Sequence, residues 1–163
     1  MSLAGVCVRA AGAADLAGVV ALERETAEAP HWREAEYVEM VVAAGVVGGV
    51  RRCLFVAERE GALVGFAVGK VMGSGLDSSA ELESVAVSAG ARRAGVGRAL
   101  CVAVAGWCRE EGAMAVELEV RAASAGAIAL YEGLGFVSVG RRRGYYRGPV
   151  DDAVLMRLEL GED

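Results

Sequence analysis

Between residues 81 and 121 the apolar pattern changes period twice, and a glycine- and arginine-rich turn sits at the first change. Glu81 to Val87 alternates, as a strand with two unlike faces does. Gly95 to Glu111 carries Val96, Leu100, Val104 and Trp107 at helical spacing, and Gly112 follows as a stop. Met114 to Arg121 alternates again. Strand, helix and strand in succession call for a layered α/β architecture.

The flanking segments extend this pattern. Val6 to Ala10 predicts a first strand. Asp15 to Ala29 predicts a helix with Leu16, Val19, Val20 and Leu22 as its apolar stripe and Pro30 as its stop, and Glu34 to Ala44 a second helix ended by Gly45. Cys53 to Glu58 and Leu63 to Met72 read as strands joined by a hairpin at Glu60-Gly61, followed by a connection from Gly73 to Ser79. Downstream, Ser124 to Gly133 predicts a helix with Ser124 as its N-cap. Phe136 to Arg141 and Ala153 to Leu160 predict two last strands. The order βααβββαβαββ describes one domain over residues 1–163: a mixed central β-sheet flanked by helices, uninterrupted by repeat or linker.

Composition narrows the function classes. The chain has 163 residues, 55% of them hydrophobic, so it can build a real core and has no disordered character. A net charge of −5 argues against nucleic-acid binding through a basic surface. No apolar run approaches the roughly 20 residues of a membrane helix, and Asp15 interrupts the N-terminal apolar stretch, a poor match to a signal peptide. No membrane partner is expected, and the cysteines, as reduced thiols, imply a cytoplasmic setting. Cys7, Cys53, Cys101 and Cys108 form no CxxC pair and His31 is the only histidine, so no metal site is expected. Each cysteine lies in an apolar run and reads as a reduced core thiol.

The turn Arg92-Arg93-Ala94-Gly95-Val96-Gly97-Arg98 joins a strand to the start of a helix. A helix N-terminus presents unpaired N–H groups and the positive end of the helix dipole. Gly95 and Gly97 let an anion approach the backbone, and three arginines add charge, so a phosphate or pyrophosphate is the fitting guest. The turn is not a Walker loop, because no Gly-Lys-Ser/Thr follows. It also lacks the third glycine of the dinucleotide fingerprint, where Leu100 stands. The lesser reading of the turn alone is a tight strand-to-helix turn with solvated arginines.

The strand Val116 to Arg121 puts Val116, Leu118 and Val120 on one face and Glu117, Glu119 and Arg121 on the other. The polar face either borders a cleft or is simply half exposed. Tyr131 lies late in the following helix, on a stripe with Ala127 and Leu134, and by spacing alone is a packing residue.

Two motifs in order then carry a resemblance. Arg92-x-x-Gly95-x-Gly97, followed by Ala127-Ile128-Ala129-Leu130-Tyr131-Glu132-Gly133-Leu134-Gly135-Phe136, resembles the GNAT acetyltransferase superfamily over Leu82 to Phe136. Leu118-Glu119-Val120-Arg121, Tyr145-Tyr146 and Asp152-Ala153 extend the likeness to the bacterial ribosomal-protein alanine N-acetyltransferases, which acetylate the N-terminal alanine of a small-subunit ribosomal protein. The match is good over the C-terminal half and poorer from Pro30 to Val50.

The resemblance implies acetyl-CoA as cofactor, and roles follow residue by residue. Glu119 takes the place of the general base and Tyr131 of the general acid. Val85, Ala86 and Val87 fall on the strand whose backbone meets the acetyl and pantetheine groups. Arg92, Arg93, Ala94, Gly95, Val96, Gly97 and Arg98 form the pyrophosphate loop. Ser124 replaces the asparagine that contacts the cofactor in the family, with fewer donors to offer. Tyr145, Tyr146 and the stretch from Pro30 to Tyr37 are implied for the peptide groove. The implied reaction is direct transfer in a ternary complex to a protein N-terminus. The rivals are a small-molecule amine or lysine side chain as acceptor in the same fold, a non-catalytic acyl-CoA sensor, and a nucleotide-binding regulator. A monomer or homodimer is expected.

Overall fold

The computed structural model describes residues 5–26, 32–42, 46–47 and 49–161. Twelve elements follow in order: β1 (Val6–Ala10), α1 (Leu16–Glu25), α2 (Glu34–Val42), β2 (Val46–Val47), β3 (Val50–Arg59), β4 (Ala62–Met72), β5 (Ser79–Val87), α3 (Val96–Glu110), β6 (Ala115–Arg121), α4 (Ala125–Gly133), β7 (Val137–Tyr146) and β8 (Asp151–Glu159). The strands form one mixed sheet in the order β1-β3-β4-β5-β6-β8-β7, with β2 pairing beside β3. All named neighbours are antiparallel except β5 and β6, which run parallel through the α3 crossover.

Two apolar layers hold the sheet. On one face α3 buries Val96, Leu100, Cys101, Val104 and Cys108 against Ala67, Val71, Leu82, Val116, Leu118 and Met156. The helix lies close over β4 because Gly69 has no side chain there. A Cβ at that position would sit 2.6 Å from Val104 Cγ1. On the other face α1 and α2 bring Val19, Val20, Leu22, Tyr37 and Met40 onto Leu54, Val56, Phe66, Val68 and Ala86.

Strand β5 serves both layers because of a β-bulge. Leu82 pairs with Gly69 and Ser84 with Val68, leaving Glu83 as the extra residue. Leu82 packs into the α3 layer and Ala86 into the α1–α2 layer. The bulge reverses the alternation and increases the local twist.

The expected βααβββαβαββ order stands with one addition, the two-residue β2. Several boundaries move. The first helix starts at Leu16, because Asp15 turns back to Arg9 (2.7 and 2.9 Å) and to the Gly12 N–H (2.7 Å). It ends at Glu25, where Thr26 is already extended (ψ 107°), rather than running on to Ala29; residues 27–30 and 43–45, with the expected stops Pro30 and Gly45, lie outside the described residues. The hairpin at Glu60-Gly61 has positive φ at both central residues, as a tight antiparallel turn demands. The last hairpin is longer than expected: β7 runs on to Tyr146 and β8 begins at Asp151, with Phe136 buried just before the strand. Ser124 stands at the N-cap position of α4 but makes no capping hydrogen bond through its side chain, a correction to the expected cap. Cys7 is another correction: it is exposed, whereas Cys53, Cys101 and Cys108 are buried.

Candidate active site

Parallel strands β5 and β6 share a single register pair among the described residues, Glu81 with Glu117. Beyond it the two strands part. Val85, Ala86 and Val87 line one side of the resulting gap and Leu118, Glu119, Val120 and Arg121 the other, around a cavity of about 1040 Å³. The edge of β5 turned toward this gap has no strand beside it among the described residues. Its backbone groups are therefore open to a ligand's amides, as at any sheet edge.

One end of the cavity is the start of α3. Gly95 occupies the N-cap position in the left-handed region (φ +81°), a conformation that costs other residues about 1–2 kcal/mol. No side chain caps this helix and no acidic residue stands in its first turn, so the first N–H groups and the dipole face the cavity unopposed. Arg92, Arg93, Gly95, Gly97 and Arg98 line this end. Arg92 reaches the Val87 carbonyl (3.3 Å) and Arg98 the Gly133 carbonyl (3.4 Å), while Arg93 adopts positive φ itself (63°). The bare N-terminus, three guanidinium groups and an open strand edge fit an extended ligand with an anionic pyrophosphate and an amide chain. Those are the parts of coenzyme A.

The opposite wall carries the ionisable groups. Glu119 lies on the polar face of β6, its side chain 24% exposed, with Arg142 Nε 3.5 Å away. Arg142 also stands over the Tyr145 ring at 5.6 Å. The Glu119 carboxylate, as a hydrogen-bond acceptor, holds the Tyr145 phenol above its ordinary range. Tyr146 is raised too, by burial first and then by Glu119. Tyr131 enters from α4 and packs edge-on against Phe136 at 5.8 Å. Burial, followed by Cys101 and Tyr146 nearby, pushes its phenol well above its usual value, so the hydroxyl stays protonated at neutral pH.

Most of the residues singled out from sequence converge on this cavity: Glu119, Tyr131, Val85 to Val87, Arg92, Arg93, Gly95, Gly97, Arg98, Ser124 and Tyr146 all line it. Ala94 and Val96 do not. The Val96 side chain is buried in the α3 layer, which leaves it only its backbone to offer. Tyr145 stands beside the wall rather than in it. Of the stretch from Pro30 to Tyr37, Pro30 and His31 lie outside the described residues, and Tyr37 is fully buried beneath α2 against Phe66 rather than in the wall. Sequence reasoning missed Glu83, Ser84 and Thr26, which also line the cavity. Their signal was only a polar residue within or at the end of an apolar run. Arg121, which the sequence places on the polar face of its strand with Glu119, lines the cavity, and Arg142, one member of a basic run, lies beside Glu119.

The model of the "Acetyltransferase (GNAT) family" matches residues 18–136. The Escherichia coli K12 [Ribosomal protein bS18]-alanine N-acetyltransferase is 38% identical over 114 residues, covering 69% of this chain and 74% of that protein. The N-alpha-acetyltransferase RimI of Mycobacterium tuberculosis is 35% identical over 106 residues, 65% of each chain. Among solved structures, the ribosomal-protein-S18-alanine N-acetyltransferase from Escherichia coli superposes with a TM-score of 0.77 at 30% identity, over 97% of this chain and 96% of that one.

Proposed function

The chain belongs to the GNAT acetyltransferase family, whose members use acetyl-CoA, and from that premise we propose that it acetylates the α-amino group of a protein N-terminus beginning with alanine. The observation that carries this reading is that Glu119 and Tyr131 line the same cavity as Arg92, Arg93, Gly95 and Gly97 at the bare α3 N-terminus.

Bound acetyl-CoA supplies an activated thioester carbonyl. The α3 N-terminus with Arg92, Arg93 and Arg98 holds the pyrophosphate, and the open edge of β5 from Val85 to Val87 aligns the pantetheine amides and offers an N–H to the thioester oxygen. The side chain of Ser124, free of a capping role, is available for one further bond. Glu119 accepts the proton that an ammonium group must lose before its nitrogen can attack, directly or through a water. Tyr131, kept protonated by burial, gives its proton to the departing thiolate. The acceptor nitrogen would attack the thioester carbonyl carbon, and the carbon–sulfur bond would then break, the acetyl group staying on nitrogen and the thiol leaving with the proton from Tyr131.

The relatives above carry names of N-terminal acetyltransferases, and none is named for a polyamine, an aminoglycoside or a lysine side chain. The test is thiol release from acetyl-CoA with a short peptide beginning with alanine, run beside the same peptide blocked at its N-terminus and beside spermidine. Release with the free peptide alone supports the reading. Release with spermidine and not with the peptide overturns it.

A further inference from the structure

The hairpin that carries Tyr145 and Tyr146 is fastened to the end of β6 by one arginine. Arg121 places its guanidinium over the Tyr146 ring, 4.4 Å from the centroid, where a cation is attracted by the ring face. The same fork donates to the Pro149 carbonyl (3.0 Å) and the Arg147 carbonyl (3.5 Å) in the turn between β7 and β8. Two further bonds join these segments: the Ala123 N–H donates to Asp151 Oδ2 (3.0 Å) and the Ala122 N–H to the Asp152 carbonyl (2.9 Å). Arg121 and Tyr146 both line the cavity, Arg121 on the same strand as Glu119 and Tyr146 on the hairpin folded against it. Without Arg121 the turn at 147–150, whose residues are exposed, loses two of its anchors and Tyr146 the partner under its ring.

We propose that Arg121 is a positioning residue for the acceptor: it sets the Tyr146 ring in the wall against which the acceptor's first residues lie. The inference rests on the reading of the cavity as the acetyl-transfer site. An arginine is needed because one planar group both stacks on the ring and forks to two carbonyls. A lysine keeps the cation over the ring and loses the fork.

The experiment compares wild type, R121Q, R121K, Y146A and R121Q/Y146A by acceptor KM, kcat and calorimetric acetyl-CoA affinity, using a peptide beginning with alanine. R121Q is expected to raise the acceptor KM about tenfold, the worth of one stacked, charge-assisted contact, with kcat within threefold and acetyl-CoA Kd unchanged. R121K falls between R121Q and wild type, and R121Q adds little once Tyr146 is gone. The proposal is overturned if R121Q leaves the acceptor KM unchanged, if acetyl-CoA affinity falls in step, or if R121Q exerts its full factor in the Y146A background. A wild type with no peptide-dependent turnover at all would instead sink the acceptor reading on which the proposal stands.

Discussion

Glu81 and Glu117 face each other across the junction of β5 and β6, and they are the register pair from which the cavity opens. Like charges directly opposite disfavour a strand pair. Here each carboxylate has a cation beside it: Lys70 Nζ lies 3.4 Å from Glu81, and Arg157, which also holds Glu159 at 2.7 Å, donates to Glu117 at 3.0 Å. The bulge at Glu83, itself bonded to Arg52 at 3.0 Å and beside Lys70 at 3.4 Å, then turns β5 away. The repulsion at the junction is offset by these shared cations, and the divergent ends are left for the ligand.

Replacing Glu119 with glutamine removes the proton acceptor and keeps the shape of the wall. Turnover is expected to fall by roughly a hundredfold, the usual contribution of a general base, while calorimetric acetyl-CoA affinity stays at the wild-type value. Unchanged turnover would remove Glu119 from the reaction.

The Tyr131→Phe change deletes a phenol whose value is raised by burial. A raised value means that the group still holds its proton above the ordinary tyrosine range, so its ionisation does not shape the rate profile at or below pH 10. The variant should therefore be slower by about a hundredfold at every pH from 6 to 9, with a profile of unaltered shape. A change confined to one limb of the profile would contradict the assignment.

Gly95→Ala puts a Cβ on a left-handed residue at the mouth of α3. A loss of about 1–2 kcal/mol of stability is expected, readable as a fall in Tm of several degrees. Acetyl-CoA affinity should also weaken by roughly tenfold as the first N–H groups lose their aim. Full affinity with a lowered Tm would separate the turn's folding role from binding.

Cys101 and Cys108 are pushed up to about 12 by burial, and Cys53 is raised the same way. In the unfolded chain thiols ionise near pH 8.5. Above that pH the unfolded state binds fewer protons than the folded one, so stability is complete below about pH 8 and declines as pH rises toward 12. Thermal melts across pH 7 to 11 would show it. A thiol reagent at pH 8 should react with the exposed Cys7 alone in the native protein and with all four cysteines in denaturant.

Much of this was readable from sequence, for definite reasons. The αL glycine at the start of α3, the alternation of β6 and the stripe of α3 are local patterns, and they place the loop, Glu119 and the core without long-range information. The length of the β7–β8 hairpin was not readable, because its exposed arginines and glycines carry little apolar alternation, and pairing with β8 rather than pattern makes it a strand. The bulge at Glu83 was hidden as well. Its consequence, Ser84 and Ala86 facing the α1–α2 layer, depends on a slip of register against β4. The contacts of Arg121 with Tyr146 and of Arg142 with Glu119 depend on the hairpin folding back across β6, which no local pattern carries.

The central claim is transfer to an α-amine at a protein N-terminus. Its most direct test is tandem mass spectrometry of a peptide that begins with alanine and contains an internal lysine, after incubation with the protein and acetyl-CoA. One added acetyl group located on the N-terminal nitrogen, absent with the Glu119→Gln protein, is the expected result. Acetyl on the lysine side chain with a free N-terminus would contradict it.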